Sequence, residues 1–509
     1  MTVSLRLQRA PRRIVDGLCD PVHRRRAAFI LVVAYGLAWF LYGVTAKSTQ
    51  DLNSDMAELV VWSRELALGY PNQPPLLAWI VWLWFLVFPH ADWAFTLLAV
   101  VSVSAGLFLC FELAGEWLYG EKRAAVPFLL AAIPFYNLLG LKFDQNSALI
   151  PLWALGAWAF MRAIETRRLG WAALAGTAAA AAMLTNYWSA FFVLALVLTA
   201  LVDPRRRTYV RSSAPWVTAL VFMVAVAPHA IWLVGEDFAP LRSAMGRRVP
   251  ASDILRSLGE YLGGTLAYAA GALALWIIFT RRTGAALRDN LFPRDSERRT
   301  AAVLFWVPIL LPVAVALVAS KSLLSLWNAP ALNLLPVILL GSVLVVLTRE
   351  ALTRMAVVVA TATGLVVLLS PVVAAVILNR GVENNAAYAR LVAFEAERVW
   401  KDETGKPLRL IGGPFALANS AAFYLSDRPS TFADFDLSLS PWASEARIAR
   451  DGMAIICPAD DQRCIAVMNE WLARSHTEPT PVEVARRWLG FESNSARFVI
   501  GVVPPRARL

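Results

Sequence analysis

Residues Ala27–Val44 read AAFILVVAYGLAWFLYGV and residues Met355–Leu378 read MAVVVATATGLVVLLSPVVAAVIL, two uncharged runs that bracket a long apolar stretch. A helix needs roughly 20 apolar residues to cross about 30 Å of hydrocarbon, and runs of this kind come close to or exceed that length. Ala94–Leu113 and Ala301–Ala319 repeat the pattern. The whole chain, 509 residues at 58% hydrophobic with a mean hydropathy of +0.54, lies outside the composition of soluble domains. After Leu378 the pattern stops. Residues 379–509 mix charges, turn formers and short β-like runs, which reads as a separate soluble module.

The net charge of +11 does not point to nucleic acid, because a binder of that kind gathers Lys and Arg on one folded face. Here the cations sit between apolar runs, at Arg12, Arg13, Arg24–Arg26, Lys122–Arg123, Arg167–Arg168, Arg205–Arg207, Arg281–Arg282, Arg298–Arg299, Arg349 and Arg354. That spacing is the positive-inside signature of an inner-membrane protein. The first apolar run is full length and is followed by no small-residue cleavage site, so it reads as a retained span after a cytoplasmic segment 1–26.

Span parity turns on Pro74–Pro89, which holds Trp79, Trp82 and Trp84. It is short for a crossing, and placing it in the interface leaves the strongly basic short connections after it inside. The expected spans are then 27–46, 94–113, 123–140, 146–163, 170–184, 187–201, 213–234, 258–280, 301–319, 327–347 and 355–378, eleven in all. The expected fold class is an all-α polytopic membrane bundle with interfacial helices, residues 27–378 with an outer loop 47–93, and a small C-terminal α/β periplasmic module at 379–509. In that module Leu408–Ile411, Ala422–Leu425, Met453–Cys457 and Phe498–Val503 read as strands, and Tyr388–Trp400 and Pro481–Leu489 as helices. Cys457 and Cys464 could be paired in an oxidising compartment or remain thiols.

Chemistry is expected on the outer segments 47–73, 141–145, 235–257 and 320–326. Asp51, Asp55 and Glu58 form the densest carboxylate cluster beside the membrane, on a stretch Asp55–Leu68 with good helix formers that Gly69-Tyr70-Pro71 stops. The i, i+3, i+7 spacing puts Asp55, Glu58 and Trp62 on one face. A partly desolvated carboxylate can take a proton from an acceptor hydroxyl; a solvated amphipathic helix start explains the same residues without chemistry. Lys142 and Asp144 fill a short turn. Asp144 is either a helix cap or a second acid. Arg242, Arg247, Arg248, Arg256 and Lys321 break the charge rule by falling outside. They suit lipid headgroups or a phosphate, for which the guanidinium fork is made. Trp327 and Asn186-Tyr187 read first as interface anchors. His23, His90, His229 and His476 lack ligand spacing, so no metal site is read, and no nucleotide-phosphate loop is present.

Asp51-Leu-Asn-Ser-Asp55-Met-Ala-Glu58 and Leu68-Gly-Tyr-Pro-Asn-Gln73-Pro-Pro-Leu76 resemble the first outer loop of GT-C glycosyltransferases in the dolichyl-phosphate-mannose protein mannosyltransferase-like superfamily. The Gly-Tyr-x-x-Gln-Pro-Pro-Leu string is most like the rhizobial lipopolysaccharide galacturonosyltransferase branch. Pro228-His229-x-x-Trp232-Leu233, Leu184-Thr-Asn-Tyr187, and Lys321 to Trp327 leading into Pro330 and Pro336 extend the likeness over most of 28–350. The resemblance implies an inverting transfer from a polyprenyl-phosphate sugar, uronic acid being its suggestion, to a periplasm-facing glycolipid or lipopolysaccharide, with Asp55 on the catalytic loop position. The gathering of carboxylates and cations on the same outer face puts Glu58 and Asp144 in support, and Asp51, Gln73, Lys142, Arg242, Arg247, Arg248, Lys321 and Trp327 on the substrate side. No cofactor is required by these residues, and a divalent metal is left open. Met56 stands where the family usually has Glu, and Asn186 where it often has Lys. The rival reading is a transporter or flippase of lipid-linked saccharides, against which the scarcity of charges within spans counts.

Overall fold

The computed structural model describes residues 9–244, 250, 252–281, 283–380 and 388–506. Among them seven helices are long and apolar enough to cross a bilayer: Arg24–Ala46, Asp92–Ala114, Gln145–Thr166, Ala214–Gly235, Ile254–Phe279, Ser296–Ala319 and Arg349–Asn379. The protein is therefore a multi-pass, mostly helical membrane bundle with a small C-terminal sheet, as its hydropathy predicts.

Four of the eleven expected crossings take other forms. The segment 123–140 is the helix Gly120–Ala131 followed, across an 85° bend, by Pro134–Leu141. Pro134 has no N–H to continue the ladder, and Ile133 before it is extended, the conformation that a following proline favours. The segment 327–347 breaks into two 3-10 turns, Ser325–Asn328 and Ala331–Leu334, and a six-residue helix Leu335–Leu340. Residues 328–340 are buried throughout, which is the condition under which irregular backbone survives within a membrane protein. Leu169–Thr185 and Ser189–Val202 are helices of 17 and 14 residues, about 26 and 21 Å long at about 1.5 Å per residue. The Trp-rich segment forms the 12-residue helix Leu76–Val87, too short to cross at the same rise.

The chain divides into two compact units, one made of 1–40, 68–76 and 97–367, the other of 41–67, 77–96 and 368–509. In the first unit small residues let helices approach closely. A β-carbon on Gly176 would stand 2.5 Å from the carbonyl oxygen of Thr218 on the neighbouring helix, and the Thr218 hydroxyl donates to the Ala172 carbonyl. Two buried polar clusters are paired: Asn333 accepts from the Tyr136 hydroxyl at 2.7 Å and donates to the Ile150 carbonyl at 2.9 Å, and Glu112 bridges Arg25 and Arg123.

The second unit contains a five-stranded sheet. Its strands are β1 (Leu410–Gly413), β2 (Ser430–Ala433), β3 (Met453–Pro458), β4 (Thr480–Val484) and β7 (Ala496–Val503), ordered β2-β1-β3-β7-β4, beside a two-residue hairpin of β5 (Arg487–Trp488) and β6 (Phe491–Glu492). β1 runs parallel to β2 and β3, while β7 runs antiparallel to β3 and β4. Period-two alternation sends Met453, Ile455 and Cys457 into one apolar layer and Ala454 and Ile456 into the other. Helices Ala389–Thr404 and Phe415–Tyr424 cover one face, and Glu445–Asp451 and Gln462–Ala473 the other. Two sequence expectations fail here. Ala422–Leu425, expected as a strand, ends the helix Phe415–Tyr424. Pro481–Leu489, expected as a helix, supplies β4 and β5, because Val482 and Val484 alternate in step with Phe498 and Ala496 of β7. Cys457 and Cys464 are disulfide-bonded, with α-carbons 5.7 Å apart.

Candidate functional site

The first-loop helix runs Ser54–Arg64, one turn shorter than the sequence suggests, and Asn53 caps it by accepting the Asp55 N–H at 3.1 Å. Met56, Leu59, Val60, Val61 and Trp62 are buried among the second unit's residues. The apolar Met56, where a family Glu is usual, suits that enclosed position. The shared face therefore runs from solvent inward: Asp55 is exposed, Glu58 is half-buried, and Trp62 is 1% exposed. Burial, and secondarily the neighbouring Asp55, pushes the Glu58 carboxyl up to about 8.

Asp51 is tied rather than open. Its side chain is fully enclosed, ion-paired with Arg486, and accepts the Arg390 N–H at 3.1 Å. Burial raises its proton affinity while Arg486 opposes the rise. Other ties follow along the helix. The Tyr424 hydroxyl accepts the Leu52 N–H at 2.7 Å and donates to Asp92 at 2.6 Å. Arg64 donates to the carbonyls of Ala422 and Pro429, and Glu65 receives Arg447 at 2.9 Å and the Ser430 hydroxyl. The partners Arg486, Tyr424, Asp92 and Arg447 carried no signal in the sequence, since their spacing from the first loop follows no local period.

In the first unit three sequence stretches named for their resemblance meet at His229. Its Nδ1 lies 2.6 Å from the Leu68 carbonyl oxygen and its Nε2 lies 3.1 Å from the Tyr187 hydroxyl. A carbonyl only accepts, so the neutral ring carries its proton on Nδ1 and Nε2 accepts from Tyr187. The rings of Tyr187, His229 and Trp232 follow one another in stacked order at centroid separations of 5.8 and 5.6 Å. Gly69 sits against Trp232, where a β-carbon would fall 2.0 Å from the indole; only glycine fits the approach. The Tyr70 N–H closes the turn on the Gln73 carbonyl at 3.0 Å, and the Gln73 Oε1 is buried with no hydrogen-bond partner among the described residues.

Asp144 is the cap of Gln145–Thr166, in a reciprocal box with Ser147, and lies 3.9 Å from the Lys142 ammonium. Burial raises its proton affinity against the Ser147 N–H and Lys142. Asn186 accepts the Trp188 N–H at 2.8 Å, a local turn bond in place of the family's cation. Trp188 packs on Trp327 at 4.8 Å. Lys321 follows the left-handed Ser320 that ends Ser296–Ala319. Arg242 is exposed and paired with exposed Asp237 at 3.0 Å, and Arg256 with Glu260 at 2.9 Å; Arg247 and Arg248 lie outside the described residues. Asp55 and Glu58 thus stand together in one unit, and Lys142 with Asp144 in the other. Among the described residues no three His, Cys, Asp or Glu side chains gather as a metal site.

A profile for dolichyl-phosphate-mannose-protein mannosyltransferases matches residues 72–232, the stretch holding Gln73, Lys142, Asp144, Tyr187, His229 and Trp232. The lipopolysaccharide core galacturonosyltransferase RgtB of Rhizobium johnstonii is 25% identical over 322 residues, 60% of this chain and 63% of the relative. The lipid A galacturonosyltransferase RgtD of the same organism is 24% identical over 218 residues, 43% of this chain and 45% of the relative. The matches thus span less than two thirds of the length of these relatives. Two crystal structures of ArnT from Cupriavidus metallidurans share the fold. The one bound to undecaprenyl phosphate gives a TM-score of 0.60 at 16% identity, over 94% of this chain and 99% of that chain. The apo form gives 0.57 at 15%, over 92% and 97%. Profile, relatives and fold point the same way: over residues 72–232 the chain is similar to the dolichyl-phosphate-mannose-protein mannosyltransferases, and it shares the GT-C fold of ArnT.

Proposed function

We propose that the protein is an inner-membrane glycosyltransferase that moves a sugar, a uronic acid by analogy with its galacturonosyltransferase relatives, from a polyprenyl-phosphate donor to a periplasm-facing lipid or lipopolysaccharide acceptor. The observation that carries this reading is the Asp55 and Glu58 pair at the head of a capped, anchored helix, on the loop position that the family treats as catalytic. Glu58 keeps its proton at neutral pH, so a hydrogen-bond donor stands one turn from Asp55. In the proposed step the acceptor hydroxyl oxygen bonds to the anomeric carbon as the bond from that carbon to the carrier phosphate breaks. The hydroxyl proton passes to Asp55 and the electron pair leaves on the phosphate.

Lys142, Arg242 and Lys321 are assigned to the phosphate charge, with Asp144 orienting Lys142, and Gln73 and Trp327 to the sugar. The His229 bonds to Leu68 and Tyr187 fix the Gly69–Gln73 turn on which Gln73 is presented. Cytoplasmic placement of the N-terminus and periplasmic placement of the module are supported by the basic connections between spans and by the Cys457–Cys464 disulfide, which suits an oxidising compartment.

The test is transfer by the full chain in lipid nanodiscs, followed by mass spectrometry of the acceptor. The expected result is a mass gain of one glycosyl residue that Asp55→Asn abolishes while protein level and folding are kept. A chain that moves lipid-linked saccharide between leaflets without changing any mass would refute the reading in favour of a flippase.

A further inference from the structure

A hollow of about 320 Å³ lies in the unit that contains the C-terminal module, between the segment Phe85–His90 and the turn Phe423–Arg428. Its size is at the low end of small-molecule sites, roughly 300–1,000 Å³. The wall is aromatic: His90 stacks on Phe85 at 4.4 Å with 20° between the rings, and Phe423 lies 6.1 Å from Phe85 and 6.4 Å from His90. Its polar groups are cationic or neutral. Arg428 is exposed, and neither its guanidinium nor the His90 ring has a hydrogen-bond partner among the described residues. Arg428 holds a left-handed backbone, φ 51°, a conformation unfavourable for a non-glycine residue and of the kind found at ligand clamps.

The neighbouring carboxylates are already committed. Glu397 takes Lys401 and the Ser426 hydroxyl, Asp92 takes Tyr424, and Asp427 accepts the Leu408 N–H. Arg64, close enough to act on His90, adds positive charge, and burial together with Arg428 and Arg64 pulls the His90 imidazole down to about 4. Phe85 and Phe423 are buried behind the wall, while the half-buried rings of Phe88 and His90 offer apolar surface for the C–H face of a sugar, and a cation at the rim with no hydrogen-bond partner among the described residues calls for an oxyanion.

We propose that this hollow binds a saccharide bearing one oxyanion, a sugar phosphate or a uronate, with the ring against the half-buried Phe88 and His90 and the anion on Arg428. The site is distinct from the Asp55 and Glu58 pair, and its test reads binding rather than transfer, so it can fail or succeed independently of the proposed activity.

The test uses the full chain, labelled at histidine, in phosphatidylcholine nanodiscs, with the His90 resonance identified by its loss in His90→Gln. Glucose 1-phosphate and glucuronate should each shift that resonance saturably at millimolar concentration, at least tenfold more tightly than inorganic phosphate or glucose. Arg428→Ala should weaken both at least tenfold and Arg428→Lys less, with the His229 and His476 resonances unmoved as the check on folding. Equal binding of inorganic phosphate would overturn the proposal in favour of a simple anion cradle. A shift produced by phosphatidylglycerol in the disc but not by the sugars would overturn it in favour of a lipid headgroup, and no shift with any probe would overturn it outright.

Discussion

Replacing Glu58 by Gln should remove a pH-dependent weakness from the first-loop helix. The native carboxyl titrates near 8 against an ordinary value of 4.5, so between those pH values the folded chain holds a proton that the unfolded chain has released. Stability therefore falls as pH rises from about 4.5 to about 8 and is level beyond. At about 1.4 kcal/mol per pH unit the interval sets an upper bound of about 5 kcal/mol. Glu58 is partly exposed, and an ionised carboxylate regains water by a small local opening, so about 2 kcal/mol is the expected size. The readout is amide hydrogen exchange of residues 54–64 in the full chain, corrected for the intrinsic rise of exchange with pH, which reports the free energy of local opening. Between pH 6 and pH 9, which spans about 2 of those 3.5 pH units, the wild-type helix should open about 5- to 10-fold more readily, whereas Glu58→Gln should show no such change. Equal pH dependence in the two proteins would refute the claim that desolvation of this carboxyl governs the helix.

Breaking the enclosed Asp51–Arg486 pair by Asp51→Ala takes the carboxylate from a buried guanidinium, and should cost about 3–5 kcal/mol, seen as a lower midpoint of thermal unfolding for the second unit. Asp51→Ala with Arg486→Leu should recover part of that loss. Gly69→Ala drives a β-carbon into Trp232, and should destabilise the turn by about 1–3 kcal/mol, raising KM for transfer through the displaced Gln73. Asp144→Ala should cost about 1 kcal/mol as a lost cap, and Asp144→Ser should restore it. Transfer that recovers with Asp144→Ser assigns the residue to capping, and transfer that stays lost assigns it to the chemistry. Tyr187→Phe removes the hydroxyl that His229 accepts, and should loosen the Leu68–Gln73 turn in exchange measurements by about 1 kcal/mol.

The apolar runs were readable as a membrane bundle because hydropathy is a local sum that needs no knowledge of neighbours. The same holds for Met453–Cys457 and Phe498–Val503, whose dense β-branched composition is a local signal. The count of crossings was less readable, since Pro134, Pro330 and Pro336 look tolerable within apolar sequence and break it only once packing supplies partners for the freed backbone. Pro481–Leu489 misled for a related reason: β4 is ordered by pairing with β7, a tertiary circumstance that overrides its charged, helix-like residues.

The candidate pair Asp55 and Glu58 was visible from i, i+3 spacing, and the cap role of Asp144 from its place before a helix. What became of Asp51 was not visible, because its partner Arg486 lies 435 residues away and no local rule connects them. Likewise the quoted stretches at Leu68, Tyr187 and His229 are separate strings in the sequence, and the aromatic hollow at His90 needs a turn from residues 423–428. Sequence by itself determined which segments leave water and which carry charge. Tertiary structure decided which charges are spent on one another and which remain to meet a ligand, because ion pairing and stacking depend on distances in space that the order of residues does not encode.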